Sequence, residues 1–297
     1  MLLRRHFIFI LIVFCFFESH AQKNKSKSNY NNDIAFHFGP AVFQGDVASG
    51  ILLSSKKLHD IRVDNSNVNL GIGVNHRIGK RFGLKSNINF LQLCGNDKWG
   101  KYEQRALSFR TFSTDLSLLI EYSIIHWEHA NKLNYRHHIF TSSGIAFFYY
   151  NPMGYYKSKW YSLRPLGTEG QNIKQGAKKY TRISYSLPIN IGYRYRLNRR
   201  DMWGMEFCFR KTFTDYLDDV SSSYYDNAII KERNGEAAAY FADPSNTIKP
   251  SGTGRGNPSK GDNYSFVNIT YSRLIGVPYI KMYSKKLRWM SKRPNKI

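Results

Sequence analysis

Cysteine is almost missing from this chain, with three in 297 residues. That excludes a disulfide framework. Only Cys94 and Cys208 lie outside the N-terminal apolar run, and both read as free thiols. Acid is also scarce: 21 Asp and Glu stand against 44 Lys and Arg, for a formal net charge of +23. Such a surplus points to acidic partners or anionic lipid head groups. It does not point to nucleic acid, because an export signal opens the chain and the usual nucleic-acid motifs are missing. After residue 17 no apolar run reaches the ~20 residues a helix needs to cross a bilayer. No H-E-x-x-H, C-x-x-C or G-x-S-x-G occurs either, so no catalytic residue, metal or cofactor is assigned.

What is present begins at the N-terminus. Arg4, Arg5 and His6 precede an eleven-residue apolar run, Phe7 to Phe17. Ser19 and Ala21 then stand at −3 and −1 before Gln22. This is the layout of a cleavable export signal, residues 1–21. Cys15 sits between bulky residues and reads as part of the run. Residues 22–31 are polar and read as a flexible leader.

From there the dominant period is two, the period of a strand with one apolar face. The longest case is Ile183 to Leu197. Ile183, Tyr185, Leu187, Ile189, Ile191, Tyr193, Tyr195 and Leu197 alternate with Ser184, Ser186, Pro188, Asn190, Gly192, Arg194 and Arg196. Asp115–Ile124 and Trp203–Arg210 repeat the pattern. Weaker runs occur at Ile34–Phe43, Val68–His76, Phe82–Leu93, Ile139–Tyr150 and Tyr264–Ile275. An aromatic content of 15% with negative mean hydropathy suits strands that are apolar on one side only.

These eight runs predict an all-β fold: an eight-stranded antiparallel outer-membrane β-barrel over residues 32–275, with a basic tail at 276–297. Connections 77–81 and 198–201 are short, 126–138 is intermediate, and 45–67, 94–109, 151–180 and 214–262 are long. Short periplasmic turns with long extracellular loops are the pattern of such barrels. An eight-stranded lumen is filled by side chains. Glu121, Arg194, Arg196, Glu206 and Arg210 share the predicted inward faces and read as a charge-compensated lumen rather than an acid–base pair.

The short turns and tail are basic. Arg77, Lys80, Arg81, Arg199, Arg200, Lys285, Lys286, Arg288 and Trp289 are candidates for docking an acidic periplasmic partner. A merely solubilising face is the alternative. The outer loops read as mixed in charge. Among them, Asp215, Asp218, Asp219 and Asp226 read as turn and mouth hydrogen bonders rather than a calcium site, since their spacing does not match a calcium loop. Gly252-Thr253-Gly254-Arg255-Gly256 reads as flexible loop, lacking the Lys-Ser/Thr and strand–helix context of a phosphate loop.

Several segments carry a family resemblance. They are Phe38-Gly39-Pro40 with Gly45-Asp46, Leu163 to Gln171 (LRPLGTEGQ), Ser186-Leu187-Pro188-Ile189 with Gly192, and Arg210 with Thr214 to Ser221 (TDYLDDVS). By these the chain resembles the PorG family, an outer-membrane component of the type IX secretion system of the Bacteroidetes. The Ala21-Gln22 cleavage site is similar to those of that phylum. The resemblance implies a non-enzymatic barrel that anchors or contacts the periplasmic ring of the PorK lipoprotein and PorN, with outer-membrane lipid around it. The competing expectation is a free-standing barrel for adhesion or small-molecule uptake through its long loops.

Overall fold

The computed structural model describes residues 32–275, apart from 50–66, 79–80, 126–135, 199 and 246. The barrel strands are β1 (Asn32–Gln44), β2 (Val68–Arg77), β3 (Phe82–Asn96), β4 (Ser108–Ile125), β5 (His137–Tyr156), β7 (Ile183–Arg196), β8 (Asp201–Thr212) and β9 (Asn263–Ile275). They pair antiparallel in the order β4-β3-β2-β1-β9-β8-β7-β5, and a β4–β5 ladder closes the cylinder. Closure leaves no free sheet edge around the wall. The short β6 (Lys159–Ser162) folds back on the end of β5. Lys157 and Ser158 join them, both at positive φ, as a two-residue hairpin turn requires.

The alternation resolves into two opposite surfaces. Outward go Leu116, Leu118 and Ile120 of β4, and Ile183, Tyr185, Leu187, Ile189 and Ile191 of β7. Ile120 is 61% exposed and Ile183 66%. Inward and buried go Asn69, Asn87, Asn89, Thr111, Ser113, Asp115 and Ser117. A water-soluble protein has the reverse polarity, and a continuous apolar exterior on a closed sheet is the surface lipid covers.

Aromatic pairs mark both ends of the apolar belt. Phe82–Tyr122 and Trp203–Tyr271 lie at one end, with ring centroids 5.4 and 5.6 Å apart. Tyr155–Trp160 and Tyr185–Phe213 lie at the other, at 5.1 and 4.7 Å. On β4 the belt runs from Tyr122 to Phe112. At about 3.3 Å per residue that is roughly 33 Å of strand, or about 25 Å of height at a tilt near 40°. A belt of about 25 Å is the height of an outer-membrane-type barrel. The chain is a transmembrane barrel of this kind, and its place is the outer membrane.

The two ends of the cylinder are unlike. At the periplasmic end strands join tightly, with Ile78 N–H donating to Phe82 O and Leu197 N–H to Asp201 O. At the extracellular end three long connections are built into structure. They hold 3-10 turns at Asp97–Trp99 and Glu103–Arg105, and helices α1 (Leu163–Leu166), α2 (Asn227–Asn234) and α3 (Glu236–Ala242). The main apolar core sits here rather than between the walls at mid-membrane. Phe43, Leu93, Phe109, Phe148 and Tyr264 of the upper barrel pack with Val47, Leu107, Leu163, Leu217, Val220 and Phe241 of the loops.

Two expectations are corrected. β5 continues to Tyr156 and gains β6, within a stretch read as loop. Segment 214–262 contains α2 and α3, and Arg255 of its glycine-rich stretch is buried. Helical periodicity is too short in 227–242 to show against a chain of strands, and burial of Arg255 depends on partners distant in sequence.

Candidate functional site

Three regions carry the polar chemistry: the lumen, the extracellular cap and the periplasmic rim. In the lumen the structure brings together four of the five charged residues that strand parity points inward. Arg194 of β7 holds Glu121 of β4 with two hydrogen bonds, 2.9 and 2.6 Å, and its guanidinium lies 4.0 Å from the Phe140 ring centroid. Glu206 of β8 accepts two hydrogen bonds from Lys85 of β3, at 2.5 and 2.6 Å. Arg210 of β8 donates to Asp115 of β4 at 3.0 Å and to Asn190 at 2.9 Å, while Tyr264 Oη also donates to Asp115.

Strand order shows what these pairs do. β3 and β8 are four strands apart whichever way the wall is followed. Lys85 and Glu206 therefore reach from opposite walls and meet in the middle. The lumen is crossed by side chains. Each of these six charges has an opposite partner, and Asp115 has Asn89 and Tyr264 as further donors, the condition under which buried ions are tolerated. Arg196, the fifth residue, is half-buried at the periplasmic end.

Lys85 and Asp115 complete this network, and the sequence pattern alone does not single them out. Asp115 lay on the polar face of its run, and Lys85 has inward parity in a weak one. Parity named their direction, but their partners lie on other strands.

The cap joins all four extracellular connections. Arg105 donates to both oxygens of Asp97, at 2.7 and 2.8 Å, and to the carbonyls of Asp46 and Arg255. Arg255 is 3% exposed. It donates to Glu169 Oε1 at 3.0 Å and to the carbonyls of Asp219, Phe241 and Ala242. Glu169 also accepts from the backbone N–H groups of Ser221 and Ser222. Thr168 and Tyr180 hydroxyls both donate to Asp219 at 2.6 Å. The two stretches carrying the most specific resemblance, 165–171 and 214–221, thus form one unit.

Their backbone suits this role. Gly167 ends α1 at φ 61°, and Gly170 turns at φ 78° beside Tyr225, whose ring a Cβ would meet at 2.6 Å. Both positions favour glycine. Asp219 adopts φ 65°, a region Asp tolerates better than most residues.

Cap charges are sorted by depth. Asp97, Glu169, Asp218, Asp219, Asp243 and Asp262 are buried. Exposed positions carry mostly bases: Lys98 and Lys101 in the second connection, Lys157 and Lys159 on the β5–β6 hairpin, Lys174 and Lys178 in the third, and Lys231, Arg233 and Lys260 in the fourth. Exposed cap acids among the described residues are Glu103, Asp226, Glu232 and Glu236. Asp226 caps α2, and Glu236 pairs with Lys157. The loops read as mixed in sequence are basic outside and acidic inside.

Burial raises four cap carboxyls whose oxygens accept no arginine hydrogen bond: Asp215, Asp218, Asp219 and Asp262. Asp215 is pushed up to about 7 and Asp219 to about 6, both mainly by loss of hydration. Asp218 and Asp262 are raised well above the usual carboxylate range for the same reason. Asp218 accepts from Val47 and Val220 N–H groups, and Asp262 from Leu217 N–H. This accounts for Asp218 and Asp219 of the TDYLDDVS stretch as hydrogen bonders of the mouth.

At the periplasmic rim Arg81 and Arg200 are exposed. Arg81 donates to the Tyr122 hydroxyl, Arg136 to that of Tyr195. Arg77 departs from the expected docking set. It has the parity of Asn75 and Gly73, is half-buried and faces the lumen end. One residue of register decides this, since successive strand side chains take opposite faces. Lys80, Arg199, Lys285, Lys286, Arg288 and Trp289 lie outside the described residues, as do the signal, leader and tail. Cys94 and Cys208 are buried and lie outside any disulfide.

No family model matches the chain, and no curated protein does. Solved structures do. Ail, the attachment invasion locus protein of Yersinia pestis, in complex with the heparin analogue sucrose octasulfate, is 6% identical with a TM-score of 0.38, over 83% of this chain and 99% of that one. OprG, an outer membrane protein of Pseudomonas aeruginosa, is 11% identical with a TM-score of 0.37, over 83% and 97%. Neisserial surface protein A is 9% identical with a TM-score of 0.34, over 83% and 97%. The barrel itself is given by its strand pairing and apolar exterior.

Proposed function

We propose that this chain is a non-enzymatic outer-membrane barrel of a type IX secretion system, which anchors or contacts the periplasmic ring formed by the PorK lipoprotein and PorN. The observation carrying the reading is the meeting of LRPLGTEGQ and TDYLDDVS in one buried hydrogen-bonded unit. Segments that resemble one family in sequence here serve one piece of structure, as a shared fold requires. The crossed lumen supports an anchoring role over a conduit. That leaves the periplasmic face, with Arg81, Arg136 and Arg200 on the rim and the basic 276–297 tail in sequence, as the side that meets a partner.

The test is affinity capture of the tagged full-length protein from detergent-solubilised membranes. Co-purification of the ring lipoprotein and its partner supports the reading, and so does loss of secreted cargo on gene deletion. A barrel captured alone, with secretion intact in the deletion strain, sinks it. Small-molecule uptake, the competing role, requires passage, and planar-bilayer recordings should show no steady conductance above background.

A further inference from the structure

The sorting of charge in the cap leaves a collar of cations around the mouth, and we infer that this collar binds the phosphate-bearing head groups of glycolipid in the surrounding outer leaflet. Cations come from the second, third and fourth extracellular connections and from the β5–β6 hairpin, so they surround the mouth rather than form one patch. A partner lying on all sides is the lipid layer itself. A soluble partner would need one concentrated face.

The strands give the height. On β8 the outward side chains run Met205, Phe207, Phe209 and then Lys211, which is exposed and pairs across to Leu187 and Asn263. Lys211 thus stands one outward position short of Phe213, whose ring packs on Tyr185 at the end of the apolar belt, and its long stem can carry the ammonium up to the head-group layer. Lys159 follows the hairpin turn next to Trp160, whose ring packs on Tyr155 in the same aromatic level. Aromatic rings with cations within a side chain's reach of the same level are the arrangement expected at a charged head-group layer. Burial of Asp97, Glu169, Asp218, Asp219, Asp243 and Asp262 leaves the exposed cations of the described cap in excess over the exposed acids Glu103, Asp226, Glu232 and Glu236.

The experiment compares full-length protein with the triple variant Lys159→Gln, Lys178→Gln, Lys211→Gln in phosphatidylcholine nanodiscs doped with bisphosphorylated lipid A. All three lysines are exposed, and unchanged melting of the variant confirms that it folds. Retained lipid is read by native mass spectrometry. Each lysine near an anionic surface is worth about fivefold in affinity, so the variant should bind roughly a hundredfold more weakly. The difference should shrink with salt, and dephosphorylated lipid A should bind both proteins equally. Equal retention of bisphosphorylated lipid A by both proteins overturns the inference. So does equal retention of phosphorylated and dephosphorylated lipid by the wild type. Heparin binding that lipid A does not compete would assign the collar to a soluble polyanion and overturn it too.

Discussion

The lumen and the cap both fill the same cylinder, and they do it by opposite electrostatic rules. In the lumen three ion pairs join different strands: Lys85 with Glu206, Arg194 with Glu121, Arg210 with Asp115. In the cap, carboxyls outnumber the buried cations. Arg105 and Arg255 serve Asp97 and Glu169, while Asp218 and Asp262 lean on backbone N–H groups and Asp219 on hydroxyls. A paired charge is held ionised, whereas a carboxyl with only neutral donors is pushed toward its protonated form when buried. The lumen should therefore act as a fixed strut and the cap as the part that responds to conditions.

Breaking the strut gives the largest effect. Arg210→Met leaves Asp115 buried without its cation, a change worth about 3–5 kcal/mol. Urea unfolding in detergent, followed by tryptophan fluorescence, should show the loss. Adding Asp115→Leu should restore much of it, because an unpaired buried ion costs more than no ion. A milder single variant would mean that the pair is wet and the strut is not one.

Next comes the cap keystone. Arg255→Met removes four hydrogen-bond partners at once and leaves Glu169 without its cation. Charge-assisted bonds of this kind are worth about 1.5–3 kcal/mol each, with strong non-additivity, so cap opening should become easier by about 3 kcal/mol. Limited proteolysis should cut within 163–182 or 214–262 much faster, while the barrel's unfolding midpoint barely moves. If barrel and cap melt together, they are one cooperative unit and the contrast fails.

A smaller effect follows from pH. Asp215 and Asp219 hold their protons to about 7 and about 6 in the folded cap. An opened cap releases them near 4. Between those values the closed form binds more protons, so rising pH favours opening. Cap protection is complete below about pH 4 and is lost as pH rises through 6 to 7. Hydrogen exchange of 214–221 should be slower at pH 5 than at pH 8 after correction for intrinsic rates. Asp215→Asn with Asp219→Asn should reduce the slope of the profile, leaving the share of Asp218 and Asp262. Faster corrected exchange at pH 5 would reverse the assignment.

The smallest expected change is Thr168→Ala, which deletes one hydroxyl donor to Asp219. It should ease cap opening by about 1 kcal/mol, read by the same proteolysis assay, with no effect on the lumen.

How much of this was legible follows the same division. The Ile183–Leu197 alternation announces both faces of β7, so Arg194 is placed inside before any partner is known. The eight strands emerge in the same way, because a lipid-facing strand must be apolar at every second residue over the whole belt. The cap had no such code. Arg255 sits in a glycine-rich stretch that looks mobile, and Glu169 lies 86 residues before it. Their pairing has no period, only a meeting point. Even within the strands, Arg77 shows the limit: at a turn, one residue of register separates a docking arginine from a lumen arginine.

By itself the sequence determined the barrel, its strand number and the polarity of its faces, since period two and a bilayer of fixed thickness admit few alternatives. Only the tertiary structure decided which inward charges meet, that the loops fold into a cap with its own core, and that acids go inside while bases stay outside. Those outcomes depend on distances between residues far apart in the chain, and burial, not composition, selects which of two opposite charges is left facing outward.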